Sequence, residues 1–191
     1  PSRLLQHQRR SYIAPHPLSE CISTCLTSPS RVYRGNRTFT ISFLGTSSGL
    51  PTRSRLTSCT LVQVSGHGYM FDVGEGVQRQ MTFTPINAGT VDKIFITHMH
   101  ADHVLGLPGL LLGMNLVQKA KATRRTVDIY GPPGLYDYIG MTVNLTHSGL
   151  DQIHIVVHEL TGSDDALRES HTRKNTYYRQ NVTCITVPRQ E

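Results

Sequence analysis

Residues 97–103 read Thr-His-Met-His-Ala-Asp-His, which places three of the ten histidines and a carboxylate within six positions. A single histidine at the end of a strand is usually a surface or hydrogen-bonded residue, but packing does not explain this density. In an extended segment, side chains at i and i+2 point the same way, so His98 and His100 can hold one ion together. Asp102 and His103 follow at the turn into the next element, where they can reach a second ion. Because imidazole and carboxylate are the ligands of catalytic zinc, the stretch predicts a catalytic pair of metal ions.

The segments on either side of this stretch predict a strand before it and a helix after it. Residues 93–97 form a compact apolar run that predicts a strand, and residues 105–117 have the length and leucine content of a helix. Gly106, Pro108 and Gly109 make the first turn of that helix irregular. The order is therefore strand, histidine loop, helix.

Apolar periodicity and turn residues predict the remaining elements of an α/β fold. Further strands are predicted at 38–44, 60–64, 68–73, 126–130, 153–160 and 182–187, and further helices at 76–82 and 135–145. Residues 161–180 are polar, lack an apolar period and are predicted to be loop or disorder. The chain reaches Glu191 soon after a strand-like run, so we expect it to stop in the middle of the fold.

The charge is concentrated in a leader. Nineteen basic and thirteen acidic residues give the chain a formal charge of +6, and residues 1–37 contribute +5 through six arginines against Glu20. Residues 38–191, which we take as the folded part, therefore carry little net charge and do not by themselves indicate a polyanionic substrate. The leader is rich in Ser, Arg and Pro and has no long apolar stretch. It resembles a mitochondrial or plastid transit peptide, although an ordinary disordered tail or an upstream linker remains open.

The four cysteines do not form the pairs that a zinc ribbon requires, since only Cys21 and Cys25 stand close together. We therefore expect a reduced, intracellular protein without a membrane span. If the leader does not direct it to an organelle, the cytoplasm or the nucleus is expected.

Several motifs resemble those of a known family. The His-x-His-x-Asp-His stretch is the signature of the metallo-β-lactamase superfamily, and 43–51 (Phe-Leu-Gly-Thr-Ser-Ser-Gly-Leu-Pro) resembles the opening loop of ribonuclease Z. The run 71–80 (Phe-Asp-Val-Gly-Glu-Gly-Val-Gln-Arg-Gln) and the run 93–111 are similar to the second and third motifs of that family. With 129–135 and 156–160, the resemblance covers residues 39 to 160.

This resemblance implies an αββα sandwich, of which the chain holds the N-terminal half, and a site for two Zn²⁺ ions. His98 and His100 are the implied ligands of the first zinc, and Asp102 and His103 those of the second. Asp102 is also the implied proton acceptor and hence a catalytic residue. Asp72 is expected to brace the metal loop, or equally to cap the turn before Gly74. The implied substrate is precursor tRNA, cut after the acceptor stem, and the complete family form is expected to be a homodimer.

Other polar residues receive weaker assignments. Arg53 or Arg55 is a candidate for phosphate binding, although arginines in loops are more often solvated. Glu75, Gln78 and Arg79 are expected to orient their turn and helix. His158 is assigned to the core or to the support of the metal ligands, and no metal role is assigned to the histidines at 67, 147, 154 and 171.

The chain departs from the resembled family in one large respect. An intact member continues with another histidine for the first zinc, an aspartate bridging both ions, a histidine for the second zinc and a tRNA-binding arm. Two protein ligands per ion are fewer than catalytic zinc usually has, so we expect this polypeptide alone to bind zinc weakly and to cut RNA poorly. Two alternatives stay open. One is another metallo-β-lactamase-fold phosphodiesterase or hydrolase, and the other is a non-catalytic half-domain.

Overall fold

The computed structural model of the chain describes residues 38–161 and 182–188. Its strands are β1 (Phe39–Gly45), β2 (Cys59–Val64), β3 (His67–Phe71), β4 (Val91–Phe95), β5 (Arg125–Gly131), β6 (Ile153–Thr161) and β7 (Val182–Pro188). Its helices are α1 (Val77–Met81), α2 (Ala101–Val104), α3 (Leu107–Ala120) and α4 (Leu135–Leu145), with a 3₁₀ turn at Ala88–Thr90. The expectations for residues 1–37 and 162–181 lie outside the described residues.

One mixed sheet carries the fold, and its seven strands lie side by side in chain order. Strands β1, β2 and β3 pair antiparallel, whereas each pairing from β3 to β7 is parallel. The β2–β3 hairpin turns on Ser65 and Gly66, both at positive φ (51° and 88°), as a two-residue hairpin turn of type I′ requires. From β3 to β6 the parallel strands are joined through helices, which is the usual connection in an α/β protein. The predicted α/β class is confirmed.

The two faces of the sheet differ. Leu61, Met70, Ile94 and Ile129 are paired neighbours across four strands and are fully buried in the core. The core also contains the inner sides of α3 and α4, through residues such as Leu111. Helices therefore cover this face.

The opposite face, which we call the open face, has no such cover among the described residues. Phe43 and Ile41 of β1 are 61% and 44% exposed. The rings of Phe71, Phe95 and Tyr130 stack across the neighbouring strands with centroids 5.0 Å apart. The described residues thus supply one sheet with one helix layer, which is half of the predicted sandwich.

The helix predicted at 105–117 is wrong in one detail, because the structure has two helices there. The short α2 precedes Gly106, and α3 follows it. The Gly106 N–H donates to the Val73 carbonyl (2.9 Å), and a Cβ at Gly106 would overlap the carbonyl oxygen of Gly74. The chain must therefore pass this point with a glycine, and the contact with a distant loop interrupts the helix.

No helix in the described part of the chain is both long enough and apolar enough to cross a membrane.

Candidate metal centre

The histidine loop lies at the carboxyl end of β4. The Ile96 N–H still bonds to the Tyr130 carbonyl (2.7 Å), after which the chain leaves the sheet and enters α2 at Ala101. His100 is the N-cap of α2, with an extended backbone (φ −65°, ψ 149°). Loops at the carboxyl ends of parallel strands are where ligands bind in open α/β sheets. At His100 the backbone is thus extended, as the sequence predicted for this segment.

All four predicted ligands lie together. The ring centroid of His98 is 4.5 Å from that of His100 and 4.0 Å from that of His103. The Nε2 atom of His103 is 3.5 Å from Oδ2 of Asp102, whose side chain is 10% exposed. Two ligands at zinc-binding distance in a tetrahedral site are separated by about 3.3 Å. Asp102 and His103 therefore fit two corners of one zinc site.

A finished site is not present in the described part of the chain. Within residues 38–161 and 182–188, no three His, Cys, Asp or Glu side chains form a group that could hold a metal ion. Cys59 is buried outside this group, and burial, with secondarily the charge of Asp72, raises the pKa of its thiol. The structure thus brings the four predicted residues together with the donor chemistry of zinc, but the described residues contain no group of three that could hold an ion.

Asp72 is the buried centre of this arrangement. Its carboxylate accepts hydrogen bonds from the backbone N–H of Thr97 (2.9 Å), the hydroxyl of Ser58 (3.2 Å) and Nδ1 of His103 (2.7 Å). Because an ionised carboxylate only accepts, Nδ1 of His103 carries the proton and Nε2 keeps its lone pair for a metal. The contacts favour the supporting role predicted for Asp72.

Asp72 also reaches His98 through Thr97. The Thr97 hydroxyl donates to Asp72 Oδ1 (2.9 Å) and lies 3.0 Å from Nδ1 of His98. Since the hydroxyl proton is directed at Asp72, the oxygen accepts from Nδ1–H of His98, which again leaves Nε2 for a metal. One carboxylate therefore sets the tautomers of two predicted ligands, one directly and one through a hydroxyl.

Gly74 lets the loop around Asp72 pack against the histidine loop. The Val73 N–H donates to the His103 carbonyl (2.8 Å), so the two backbones touch. A Cβ at Gly74 would lie 2.8 Å from Cβ of Thr57 and would overlap the backbone oxygen of Asp102. Asp72 itself has φ 57°, a left-handed conformation that Asp tolerates better than most residues. The close approach explains the glycine of the Asp72-Val-Gly74 run.

A third segment, the loop of residues 46–56 between β1 and β2, reaches the centre from the other side. The Gly49 N–H donates to Oδ2 of Asp102 (2.6 Å). This bond is the main cause of the lowered pKa of Asp102, to which the charges of His103 and His100 add. Sequence reasoning missed Gly49, Thr97 and Ser58 as parts of the centre. Only the Gly- and Ser-rich composition of the loop signalled a close approach.

The other candidates lie in different contacts. The side chain of Gln78 rests over Gly109 of α3, and the Arg79 guanidinium lies 4.9 Å from the ring centroid of Phe83. Both therefore fix α1, as predicted. Arg53, Arg55 and Glu75 are exposed, and their roles stay predictions.

His158 lies on the open face. Its Nε2 bonds to Oδ1 of Asp128 (2.8 Å), and its ring stacks on Tyr130 with centroids 4.2 Å apart. Among the other histidines, His67 bonds to Asp92 in the β2–β3 hairpin (2.8 Å). His171 lies outside the described residues.

A mixed α/β sheet with a His-x-His-x-Asp-His loop after a central parallel strand defines a metallo-β-lactamase-fold protein. A sequence model of the family described as Anti-Pycsar protein Apyc1 matches residues 39–139, and the chain belongs to that family.

Curated relatives agree with the resemblance to ribonuclease Z. The chain is 42% identical over 125 residues to the human (Homo sapiens) "Zinc phosphodiesterase ELAC protein 1", covering 65% of this chain and 34% of the relative. It is 38% identical over 122 residues to "Ribonuclease Z" of Methanothermobacter thermautotrophicus, covering 64% and 38%. The chain spans little more than a third of the length of these relatives. The predicted resemblance to ribonuclease Z is confirmed over that part.

Solved structures agree on the fold. The crystal structure of human tRNase Z, short form, superimposes with a TM-score of 0.59 and 36% identity, covering 76% of this chain and 49% of that chain. A long-form RNase Z from yeast superimposes with a TM-score of 0.53 at 19% identity, covering 69% and 20%, and supports the fold alone. The predicted metallo-β-lactamase fold is confirmed.

Proposed function

We propose that the chain is part of a zinc-dependent endoribonuclease that removes 3′ trailers from precursor tRNA. The observation that carries the proposal is the Asp72–His103–Asp102 arrangement. A buried carboxylate orients His103, whose free nitrogen lies 3.5 Å from Asp102 in a loop of four metal-ligand side chains. Relatives named zinc phosphodiesterase and ribonuclease Z support the reaction class.

The residues divide into two pairs in this proposal. His98 and His100 hold the first zinc, and Asp102 and His103 hold the second. When bound, two zinc ions lower the pKa of a shared water and stabilise the charge on the leaving oxygen. Asp102 accepts a proton during hydrolysis. Asp72 keeps Nδ1 of His103 protonated throughout and so keeps Nε2 available.

The substrate proposed is precursor tRNA cut just after the acceptor stem, leaving a 3′-hydroxyl on the tRNA and a 5′-phosphate on the trailer. Arg53 and Arg55 are exposed in the loop whose tip touches Asp102, which supports a role in phosphate binding. A homodimer is proposed for the complete form. Transport to a mitochondrion or plastid is proposed from the basic segment 1–37, and otherwise a place in the cytoplasm or nucleus.

For this polypeptide by itself we propose weak zinc binding and poor cleavage. A specific observation favours this view, since the described residues provide no group of three ligands. The same observation favours a second candidate function, a half-domain that binds tRNA or a protein partner without catalysis.

The test is a cleavage assay on the 191-residue chain. A precursor tRNA with a labelled 3′ trailer is incubated with zinc, with a chelator, and with the variants His100→Ala and His67→Ala. His67 is the matched control, because it is an exposed histidine hydrogen-bonded to an aspartate in the β2–β3 hairpin. We expect slow release of the intact trailer that needs zinc, is lost in His100→Ala and persists in His67→Ala.

Other results decide against parts of the proposal. Release that survives chelation or the His100→Ala change contradicts the zinc mechanism. Binding of tRNA with no release at any zinc concentration selects the non-catalytic half-domain. Tight binding of two zinc ions together with fast cleavage contradicts the expectation that this chain alone is a poor enzyme.

A further inference from the structure

The tip of the 46–56 loop meets the metal centre through a backbone bond. The Gly49 N–H donates to Asp102 Oδ2 at 2.6 Å, and the two residues are 53 positions apart in the chain. The donor comes from a loop between two antiparallel strands, and the acceptor lies in α2 beyond the central parallel strand. The contact therefore forms only when the sheet has assembled.

A strained turn aims this N–H. The Leu50 N–H donates to the Ser48 carbonyl (2.9 Å) across Gly49, whose φ is +73°. A three-residue turn with a central φ of about +75° is the rare and strained form of the γ-turn. A Cβ at Gly49 would meet nothing within 4 Å, so glycine is needed here for its φ and not for space.

The rest of the loop holds this turn in place. The Ser47 hydroxyl donates to the Leu50 carbonyl (2.7 Å), and the Ser47 N–H donates to the Leu56 carbonyl (2.8 Å). At the outer end, the Arg55 N–H donates to the Thr52 hydroxyl (2.9 Å). Strain of this kind persists only when surrounding bonds determine it, and it is concentrated at functional sites.

We propose that Gly49 is a positioning residue for Asp102. Its N–H takes one lone pair of Oδ2 and fixes the carboxylate beside Nε2 of His103 (3.5 Å), which leaves the other lone pairs of the carboxylate available to a metal ion. The inference deepens the proposed function, on which it rests, because it treats Asp102 as a metal ligand. A hydrogen bond to a ligand carboxylate orients it and raises metal affinity without touching the ion.

The first test measures Co²⁺ affinity by the absorption of cobalt, which takes zinc sites, in the unsubstituted chain and in three variants. Gly49→Val disfavours positive φ and turns the N–H away, and we expect about tenfold weaker binding. Gly49→Asn tolerates positive φ and keeps the N–H, so its affinity stays within about twofold. Gly66→Val is the matched control, because Gly66 has φ +88° and open space but lies in the β2–β3 hairpin. It strains its own turn and leaves the affinity unchanged.

The second test needs no metal. Amide hydrogen exchange of Gly49 is followed by NMR, and we expect protection that disappears in Asp102→Ala. Exchange of the Gly49 amide at the rate of an unstructured peptide overturns the inference.

The two proposals fail in different ways. Equal cobalt affinity in Gly49→Val and the unsubstituted chain overturns the positioning role and leaves the proposed function standing. If the unsubstituted chain binds no cobalt at any concentration, the metal role proposed for Asp102 in this chain is contradicted, and Gly49 then positions no ligand even if its amide is protected.

Discussion

Replacing Asp72 with asparagine separates the support of the metal ligands from the support of the fold. The amide oxygen must face Thr97, because the Thr97 N–H and hydroxyl both donate to that side of the group. The amide NH₂ then faces Ser58 and His103 in place of Oδ2. The Ser58 hydroxyl can rotate to accept, but His103 must move its proton from Nδ1 to Nε2, which removes the lone pair that a metal needs.

The size of each effect follows from these contacts. Every hydrogen bond keeps a partner and only the negative charge is lost, so we expect a loss of about 1–2 kcal/mol of unfolding free energy. For a chain of this size that corresponds to a fall of about 2–8 °C in Tm. Metal affinity is expected to fall about 10- to 100-fold, as for other residues that orient a ligand.

The assay combines three measurements on Asp72→Asn. Calorimetry gives Tm, cobalt titration gives metal affinity, and ¹⁵N spectra of the imidazoles give the tautomer of His103. Asp128→Asn is the matched control, because Asp128 also bonds to a histidine, His158, but on the open face. It should leave the affinity unchanged. A folded Asp72→Asn chain with unaltered cobalt affinity, or with Nδ1 of His103 still protonated, would refute the reasoning.

Three further predictions concern packing and pH. Gly74→Ala forces a Cβ against the Asp102 backbone and should cost about 1–3 kcal/mol in denaturant unfolding, whereas Gly149→Ala, which enters open space, should cost little. Asn115→Ala removes a buried amide that bonds to the Gly149 carbonyl and the Gln152 N–H, both in part-buried contacts, so calorimetry should give a loss of about 1–2 kcal/mol. Hydrogen bonds from the Gln152 and Asn115 side chains lower the pKa of Asp151, so its contribution is present above the ordinary pKa of 3.8 and is lost as pH falls below that value. The Tm difference between the unsubstituted chain and Asp151→Asn should therefore shrink from pH 5 to pH 3, and a constant difference would contradict this linkage.

Local pattern was enough to predict the strands and the grouping of the four candidate ligands. The run 93–97 is apolar up to the first histidine, and His98 and His100 alternate as an extended segment requires, so their grouping follows from adjacent residues. The grouping of the four candidate ligands needs no long-range information, because six consecutive positions contain them all. Periodicity could not predict that the helix is interrupted at Gly106. The interruption comes from a contact with Gly74, which is distant in sequence, and not from the residues of the helix.

The supporting contacts were predicted only in part, for a physical reason. Asp72 was identified from its motif, but its bonds to Thr97 and His103 span 25 and 31 residues and depend on how β3 and β4 align. Gly49 was not identified at all, because a backbone N–H leaves no mark in the sequence beyond the glycine that its turn requires. A sequence specifies which side chains can bind a metal more directly than it specifies what holds them in place.

The contacts that orient the candidate ligands are therefore separate from the residues that would complete the ligand shell of a metal ion. The 46–56 loop, the Asp72 loop and the histidine loop bond to one another through Gly49, Asp72 and Val73, and none of these bonds involves a metal ion. The described residues thus hold Asp102 and His103 3.5 Å apart, although no group of three candidate ligands is among them. Because prior orientation removes part of the entropic cost of binding, a further donor reaching this centre from outside the described residues would need only to complete the ligand shell. The described residues can therefore keep the orienting hydrogen bonds of the proposed metal centre although no group of three candidate ligands is among them.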